Sequence, residues 1–310
     1  MREASSFVRL KIVLCAGMML SGCGGGEEDG ASGGGVSDAA ATYYSWMNAE
    51  IQAAWDQGFL GQLTRVAVLD DFTSGSAFTG DLGEGPQLQG HGDWVKQQIT
   101  YLAPQATVDS FDFNLNARVP LADGLNILNL SYGAYAGEGL NIQWDRLERS
   151  VIDYATQGDA VVVKAAGNDS GTAVGAANSA EQVDYLARSL IGTQSAIFVG
   201  ALSSNGSTDE PASIASYSNI AGSNTLVQNH FLVVGVEGDE TGLYGTSFAA
   251  PVVSGYAAIL GSKFTTATPT QITNQLLSTA RKDTIRGYNV TIHGQGEASI
   301  ANALAPMSIN

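Results

Sequence analysis

Ser247 stands in the stretch Gly245-Thr246-Ser247-Phe248-Ala249-Ala250-Pro251, followed by the apolar run Val252-Val253-Ser254-Gly255-Tyr256-Ala257-Ala258-Ile259-Leu260. The run reads as a buried helix with Thr246 or Ser247 at its start, where a hydroxyl can accept from the free N–H groups of the first turn. Pro251 falls in that turn, where its missing N–H costs least. A hydroxyl held there lies in a field that favours developing negative charge. Taken alone, such a serine is an ordinary helix cap, but candidate partners stand upstream. The chain has 3 histidines. His91 sits between Gly90 and Gly92 at the start of a helical pattern, where its ring can face a cleft. His230 adjoins a short apolar run and His293 lies in a Gly-containing tail segment. Asp70 ends the apolar run Val66–Leu69, and Asn168 follows Ala165-Ala166-Gly167. Asp70 could orient His91, His91 could take the Ser247 proton and return it to a leaving amine, and Ser247 could attack a carbonyl. The Asn168 amide and the Ser247 N–H could then donate to the oxyanion.

These groups need strands that end beside one another. Val66–Leu69, Asn126–Leu130, Ala160–Ala165, Ala196–Val199 and Phe231–Val234 read as short buried strands, and Ala106–Val108 and Phe111–Phe113 as strand pieces. Between them fall helical patterns over Asp38–Gln57, from Asp93 through Leu102, across Leu140–Tyr154 and closed by Gly158, around Val183–Leu190, and around Ile272–Ala280. Strands alternating with helices predict an α/β fold built on a doubly wound, mostly parallel sheet. Its active site is expected beyond the carboxyl ends of the strands. Asp70 and Asn168 both occupy strand exits. No internal repeat and no second domain is read.

The 310 residues suffice for one large domain. A net charge of −16 and a sequence pI near 4.3 argue against a nucleic-acid partner, because phosphates would be repelled. Arg2, Arg9 and Lys11 precede the apolar run Ile12–Leu20, which is too short to span a bilayer and suits a signal peptide. Leu20-Ser21-Gly22-Cys23 resembles the bacterial lipobox, which implies cleavage after residue 22 and acylation of Cys23. The Gly-rich stretch after it has no apolar periodicity and reads as a flexible tether. The expected organisation is a signal peptide over 1–22, a lipidated Cys23 and tether over 23–37, and one catalytic domain over 38–310. The other cysteine, Cys15, would leave with the signal, so no disulfide is expected.

The motifs resemble those of the subtilisin-like serine proteases, the subtilases. Ala54-Trp55-Asp56-Gln57-Gly58 followed by Val66–Asp70 resembles the aspartate segment and its lead-in, and Gly90-His91-Gly92 the histidine segment. Asn129-Leu130-Ser131-Tyr132-Gly133 resembles the substrate-binding strand, Ala165–Asn168 the oxyanion segment, and Gly245–Pro251 the serine segment. Gly294–Ala305 resembles the segment that closes the catalytic domain. The resemblance implies a three-layer αβα fold and peptide-bond hydrolysis through a Ser247 acyl-enzyme. An extended polypeptide substrate would lie on Asn129–Gly133. Its side-chain pocket would be lined by backbone of Ser131, Tyr132 and Gly133 and of Ala165, Ala166 and Gly167.

This sequence departs from the family pattern in places. Asp71 and Phe72 follow Asp70 where a small residue and Gly are usual, so Asp71 could compete as the His91 partner. Asp93-Trp94 replaces a Thr-His pair, and the Asp70-to-His91 spacing is compact. The segment after Cys23 is too short for a folding propeptide domain. That layout resembles the subtilase passengers of autotransporters, here without a barrel, and implies a cell-envelope lipoprotein at the outer membrane or cell surface, or one that stays periplasmic; a monomer is expected. Calcium often stabilises the family, but no Asp-x-Asp-x-Asp-Gly loop is present and no cofactor is expected. Zinc catalysis finds neither His-Glu-x-x-His nor enough cysteines. The rival reading is a catalytically degenerate subtilase-fold lipoprotein that binds peptides without cutting them.

Overall fold

The computed structural model describes residues 41–309 and the backbone of residues 11–14. Cys23, the Gly-rich tether and the start of the helix expected from Asp38 lie outside the described residues. In chain order the elements begin with β1 (Lys11–Leu14), α1 (Glu50–Asp56), β2 (Thr64–Asp70), β3 (Ala77–Gly80), β4 (Gln87–Gly90) and α2 (His91–Leu102). There follow β5 (Thr107–Asp112), β6 (Leu125–Leu130), β7 (Tyr132–Gly137), α3 (Arg146–Gln157), β8 (Val161–Ala165), β9 (Gln182–Asp184) and α4 (Tyr185–Leu190). The rest comprises β10 (Ala196–Leu202), α5 (Thr225–Gln228), β11 (Phe231–Gly235), α6 (Gly238–Thr241), α7 (Ala250–Lys263), α8 (Pro269–Ser278), α9 (Val290–His293) and α10 (Ile300–Leu304).

Six strands form one parallel sheet in the order β11-β10-β8-β6-β2-β5. The chain leaves β2 for β5 on one side, then returns to β6 on the other. The carboxyl ends of β2 and β6 therefore flank a topological switch point, where ligands bind in open α/β sheets. This is the expected αβα architecture. Alternate strand residues feed two cores, as a pleat of period two requires. Val66, Val68, Ile127, Val161, Val163, Ile197, Val199, Leu232 and Val234 join one face with residues of α1, α2, α7, α8 and α10. Ala67, Leu69, Leu128, Leu130, Val162, Phe198 and Val233 join the other with residues of α3 and α4. A smaller antiparallel sheet, in the order β1-β7-β9, stands beside the end of β6.

Helix α7 is apolar on every side because it is enclosed on every side: nearly all its residues are buried, between the sheet and α2, α8 and α10. A chain of side chains ties it to the sheet. Ser254 Oγ donates to Asn129 Oδ1 at 2.9 Å, Asn129 Nδ2 donates to Ser131 Oγ at 3.0 Å, and Ser131 Oγ donates to the Ser247 carbonyl at 2.8 Å. All of these residues are buried.

Several expected boundaries move. The two strand pieces at 106–113 are one strand, β5, running beside β2. The helix expected across 140–154 starts at Arg146, after a loop. The pattern around Val183 splits into β9 and α4, because Asp184 accepts from the N–H groups of Leu186 and Ala187 and so caps a new helix. Residues 11–14, inside the expected signal-peptide run, form β1 on the edge of β7.

Two measurements follow from this packing. Ser131→Ala removes a hydroxyl that serves both Asn129 and Ser247, leaving a buried donor and acceptor unmatched. It should lower unfolding free energy by about 1–3 kcal/mol in denaturant titration. Glu297 is buried, its Oε1 accepting from Gly206 N at 3.0 Å while Oε2 has no hydrogen-bond partner among the described residues. Burial, helped by the Glu50 carboxylate, pushes its carboxyl up to about 7. A folded-state value above the unfolded one favours folding at low pH, and that contribution is lost as pH rises from about 4 to about 7. Glu297→Gln keeps the acceptor and removes the titration, so its melting temperature should exceed that of the wild type at pH 8 and converge on it near pH 5.

Candidate active site

Asp70 is the last residue of β2 and His91 the first of α2, so a strand exit and a helix entry bring them together. His91 Nδ1 lies 2.6 Å from Asp70 Oδ1, with the two side chains 2% and 0% exposed. A carboxylate can only accept, so Nδ1 carries a proton, and in the neutral ring Nε2 is the acceptor. Nε2 is buried and makes no hydrogen bond among the described residues. The imidazole packs against Phe248 at 5.5 Å between ring centroids and against Phe78 at 6.3 Å. Phe248 follows Ser247 directly, which puts the ring alongside the serine turn.

That turn departs from the sequence expectation. The N-cap of α7 is Ala249, with no side-chain cap bond, and Phe248 N donates to Gly245 O at 3.0 Å in a turn that precedes the helix. Ser247 thus stands before the helix rather than capping it. It is fully buried. Thr246, read from sequence only as a candidate cap, does more. Its N–H and hydroxyl both donate to Asn168 Oδ1, at 2.9 and 3.0 Å, and its Oγ1 accepts from Gly167 N at 3.0 Å. A backbone N–H needs an acceptor, so these bonds fix the amide with its Nδ2 turned away from Thr246. Gly167 sits at φ 109°, a left-handed conformation open mainly to glycine.

The competition from Asp71 is resolved by where its side chain turns. Asp71 Oδ1 accepts from Thr73 N at 3.1 Å and Ser74 N at 2.8 Å, closing the loop after β2. Burial alone would raise this carboxyl, but hydrogen bonds from Ser74 and Thr73 outweigh it and hold it below the usual range. Phe72 lies over Gly92, where a Cβ would come within 2.7 Å of its ring. Trp94 is buried and donates Nε1 to Phe78 O at 3.1 Å, so Asp93-Trp94 contributes an anchor for β3. His230 and His293 keep structural roles. His230 Nδ1 bonds Ala196 O at 2.8 Å, and His293 is buried, burial lowering its pKa.

Ser131, Tyr132 and Gly133 lie where β6 passes into β7, and Ala165, Ala166 and Gly167 where β8 ends. Ser131 and Tyr132 have buried side chains, so what this segment offers the surface is backbone. On one edge of β7 lies β9. On the other lies β1, antiparallel, with Leu14 opposite Tyr132 and Val13 opposite Gly133. Sequence reasoning passed over Tyr135, Asp169 and Asn219, which converge here from distant segments. It also passed over the buried pair Lys164–Asp184, 2.9 Å apart under β7. A lysine inside the apolar run of β8 was the only signal for that pair.

Among the described residues no group of three or more His, Cys, Asp or Glu could hold a metal ion, and no helix is long and apolar enough to cross a membrane. The subtilase family model matches residues 81–297, a span that includes His91, Asn168 and Ser247 and begins beyond Asp70. Subtilisin DY of Bacillus licheniformis is 30% identical over 158 residues, 51% of this chain and 50% of that protein. Subtilisin NAT of Bacillus subtilis subsp. natto is 30% identical over 161 residues, 52% of this chain and 37% of that protein. The matched stretch thus spans half or less of these relatives. The structure of MycP3 protease from the type VII (ESX-3) secretion system superposes with a TM-score of 0.54 at 20% identity, covering 82% of this chain and 86% of that one. A lanthipeptide protease gives 0.55 at 18% identity, covering 84% and 93%. Those structures share the fold, and with a family match across most of its length the chain belongs to the subtilase family.

Proposed function

We propose that the chain is a serine endopeptidase in which Ser247 is the nucleophile, His91 the general base and Asp70 the residue that orients it. The observation that carries this reading is the 2.6 Å contact of Asp70 with His91 Nδ1, in a buried imidazole packed against the residue after Ser247. His91 Nε2 takes the Ser247 proton as Oγ attacks the scissile carbonyl, and the imidazolium that results is stabilised by Asp70. Asn168 Nδ2 and the Ser247 N–H receive the oxyanion, the amide being held in that orientation by Thr246. His91 then protonates the leaving amine, and water repeats the sequence on the acyl-enzyme. Substrate lies extended along β7, adding an antiparallel strand by main-chain bonds. The place of β1 on that edge supports the reading.

A fluorophosphonate probe on the protein purified in mild detergent from its bacterial host, its N-terminus checked by mass spectrometry, tests the assignment. Adduct should form on Ser247 and vanish in both Ser247→Ala and His91→Ala. Asn168→Ala should label more slowly and lose about 10²–10³ in kcat, a magnitude that itself derives from a subtilisin. A folded wild type that takes no adduct would favour a peptide-binding protein of the same fold.

We further propose that residues 1–22 direct export and that Cys23 is acylated, tethering a monomeric peptidase to the cell envelope. Acyl chains anchor firmly only when more than one is attached. Metabolic labelling with an alkyne fatty acid should mark the wild type in its bacterial host and leave Cys23→Ala unmarked. Equal labelling of both would remove the anchor from the account.

A further inference from the structure

Gly133 on β7 and Gly167 after β8 both face the side chain of Tyr135. A Cβ added to Gly133 would collide with the Tyr135 ring at Cε2 and stand 2.9 Å from Asp184 Oδ2. One added to Gly167 would collide with the Asn219 amide and stand 3.0 Å from the Tyr135 hydroxyl. The two missing side chains therefore point at different parts of one aromatic ring, which bridges the gap between the strands. Tyr135 reaches this place because it lies two residues after Gly133, on the same face of β7. Its hydroxyl donates to Asp169 Oδ2 at 3.1 Å. Asp169 is fixed in turn by Asn178 Nδ2 at 2.8 Å and by Asn219, whose Oδ1 accepts the Asp169 N–H at 2.8 Å. The ring is 7% exposed and tethered at its far end.

The gap adjoins the nucleophile. Gly167 N donates to Thr246 Oγ1, and Ser131 holds the Ser247 carbonyl. In an extended peptide on the edge of β7, side chains alternate in direction. In the pocket that the subtilase resemblance implies, the residue whose carbonyl meets Ser247 would send its side chain between the backbone of Ser131–Gly133 and that of Ala165–Gly167, where the Tyr135 side chain already lies. Resting on the peptidase reading, we infer that Tyr135 is a specificity-determining residue: it fills the space for the side chain on the acyl side of the scissile bond and restricts that residue to Gly, Ala or Ser. Admitting Leu or Phe would require the ring to leave, breaking its bond to Asp169 and uncovering two glycine surfaces.

The test profiles cleavage of a proteome-derived peptide library by mass spectrometry, with each enzyme normalised by fluorophosphonate titration of Ser247. Wild type should cut after Gly, Ala and Ser with kcat/KM at least about tenfold above Leu and Phe, the scale on which pocket size discriminates. Tyr135→Ala should gain at least about tenfold toward Leu and Phe, while Tyr135→Phe, which keeps the ring, should retain the small-residue profile. Peptidyl phosphonates carrying Gly, Ala, Leu or Phe next to phosphorus repeat the comparison on the wild type alone, should Tyr135→Ala not fold. A wild type that labels at Ser247 yet cuts well after Leu or Phe overturns the inference and spares the peptidase reading, as does a labelled Tyr135→Ala with an unchanged profile. A wild type that takes no fluorophosphonate overturns both.

Discussion

The serine turn is held by hydrogen bonds to two neighbouring strand ends, and most of the site depends on that double attachment. Through Ser254, Asn129 and Ser131, the end of β6 reaches the Ser247 carbonyl. Through Asn168 and Gly167, the exit of β8 reaches Thr246. Backbone bonds alone would fix the turn to its own helix and leave its position over the sheet to apolar packing, which is not directional. The side-chain bonds supply direction, and they do so where every member but the half-buried Asn168 is buried, so a misplaced turn would strand several polar groups at once. The same contacts settle the Asn168 amide. Its oxygen accepts both Thr246 donors, which fixes the plane of the amide. In the mechanism proposed above, pre-organisation of this kind would cost nothing at the moment charge develops.

Three carboxylates crowd the adjoining ends of β2 and β5, and their separate duties follow from which donors each can reach. Asp70 Oδ1 takes the His91 Nδ1 contact and the Asp71 N–H at 2.7 Å. Asp71 turns outward to the N–H groups of Thr73 and Ser74. Asp112, at the end of β5, accepts from Phe72 N at 3.1 Å and Thr73 Oγ1 at 2.7 Å, and these bonds outweigh burial to hold its carboxyl low. The acidic pair at 70–71 therefore does not divide the imidazole between two partners. The second and third acids fold the loop that carries Phe72 onto Gly92, and this loop closes the compact connection toward His91.

The sheet and the site were legible from the sequence to different depths. Strands buried on both faces read as continuous apolar runs, so β2, β6, β8, β10 and β11 stood out, and strand exits at Asp70 and Asn168 followed from them. The serine stretch, the isolated Gly-His-Gly and the Ala-Ala-Gly-Asn run carried local signals because each needs small residues beside one reactive group. The rest depends on partners far away in the chain. Asp71 reads as a rival to Asp70 until its bonds to Thr73 and Ser74 are seen. Thr246 reads as a cap until Asn168, 78 positions earlier, is placed beside it. Tyr135 carries no signal of its own, since nothing local reveals that two glycines on different strands leave room for its ring. Such side-chain meetings are set by tertiary packing, to which short-range pattern is blind.

Lys164 and Asp184 show what holding β7 in place requires. Along β8, residues 162, 164 and 166 face the side of the sheet that carries α3 and α4, so Lys164 enters an apolar layer by strict alternation. A lone ammonium there would be prohibitive, and an ion pair by itself often fails to repay its desolvation. The pair persists because its members are bonded beyond each other. Lys164 Nζ also donates to Ala165 O at 2.7 Å, and Asp184 Oδ1 accepts from Ala134 N at 3.1 Å and from the first turn of α4. Asp184 thereby joins β7, β9 and α4 at one carboxylate. A neutral, well-packed substitute could match the volume, yet it would offer the Ala134 N–H no acceptor and α4 no cap. β7 carries both the edge on which β1 lies and the tyrosine set between Gly133 and Gly167. A shift of one residue in its register would turn Tyr135 to the opposite face, because side chains on a strand alternate. The buried charges therefore act on position: they hold the β7 register that the edge and the tyrosine both need.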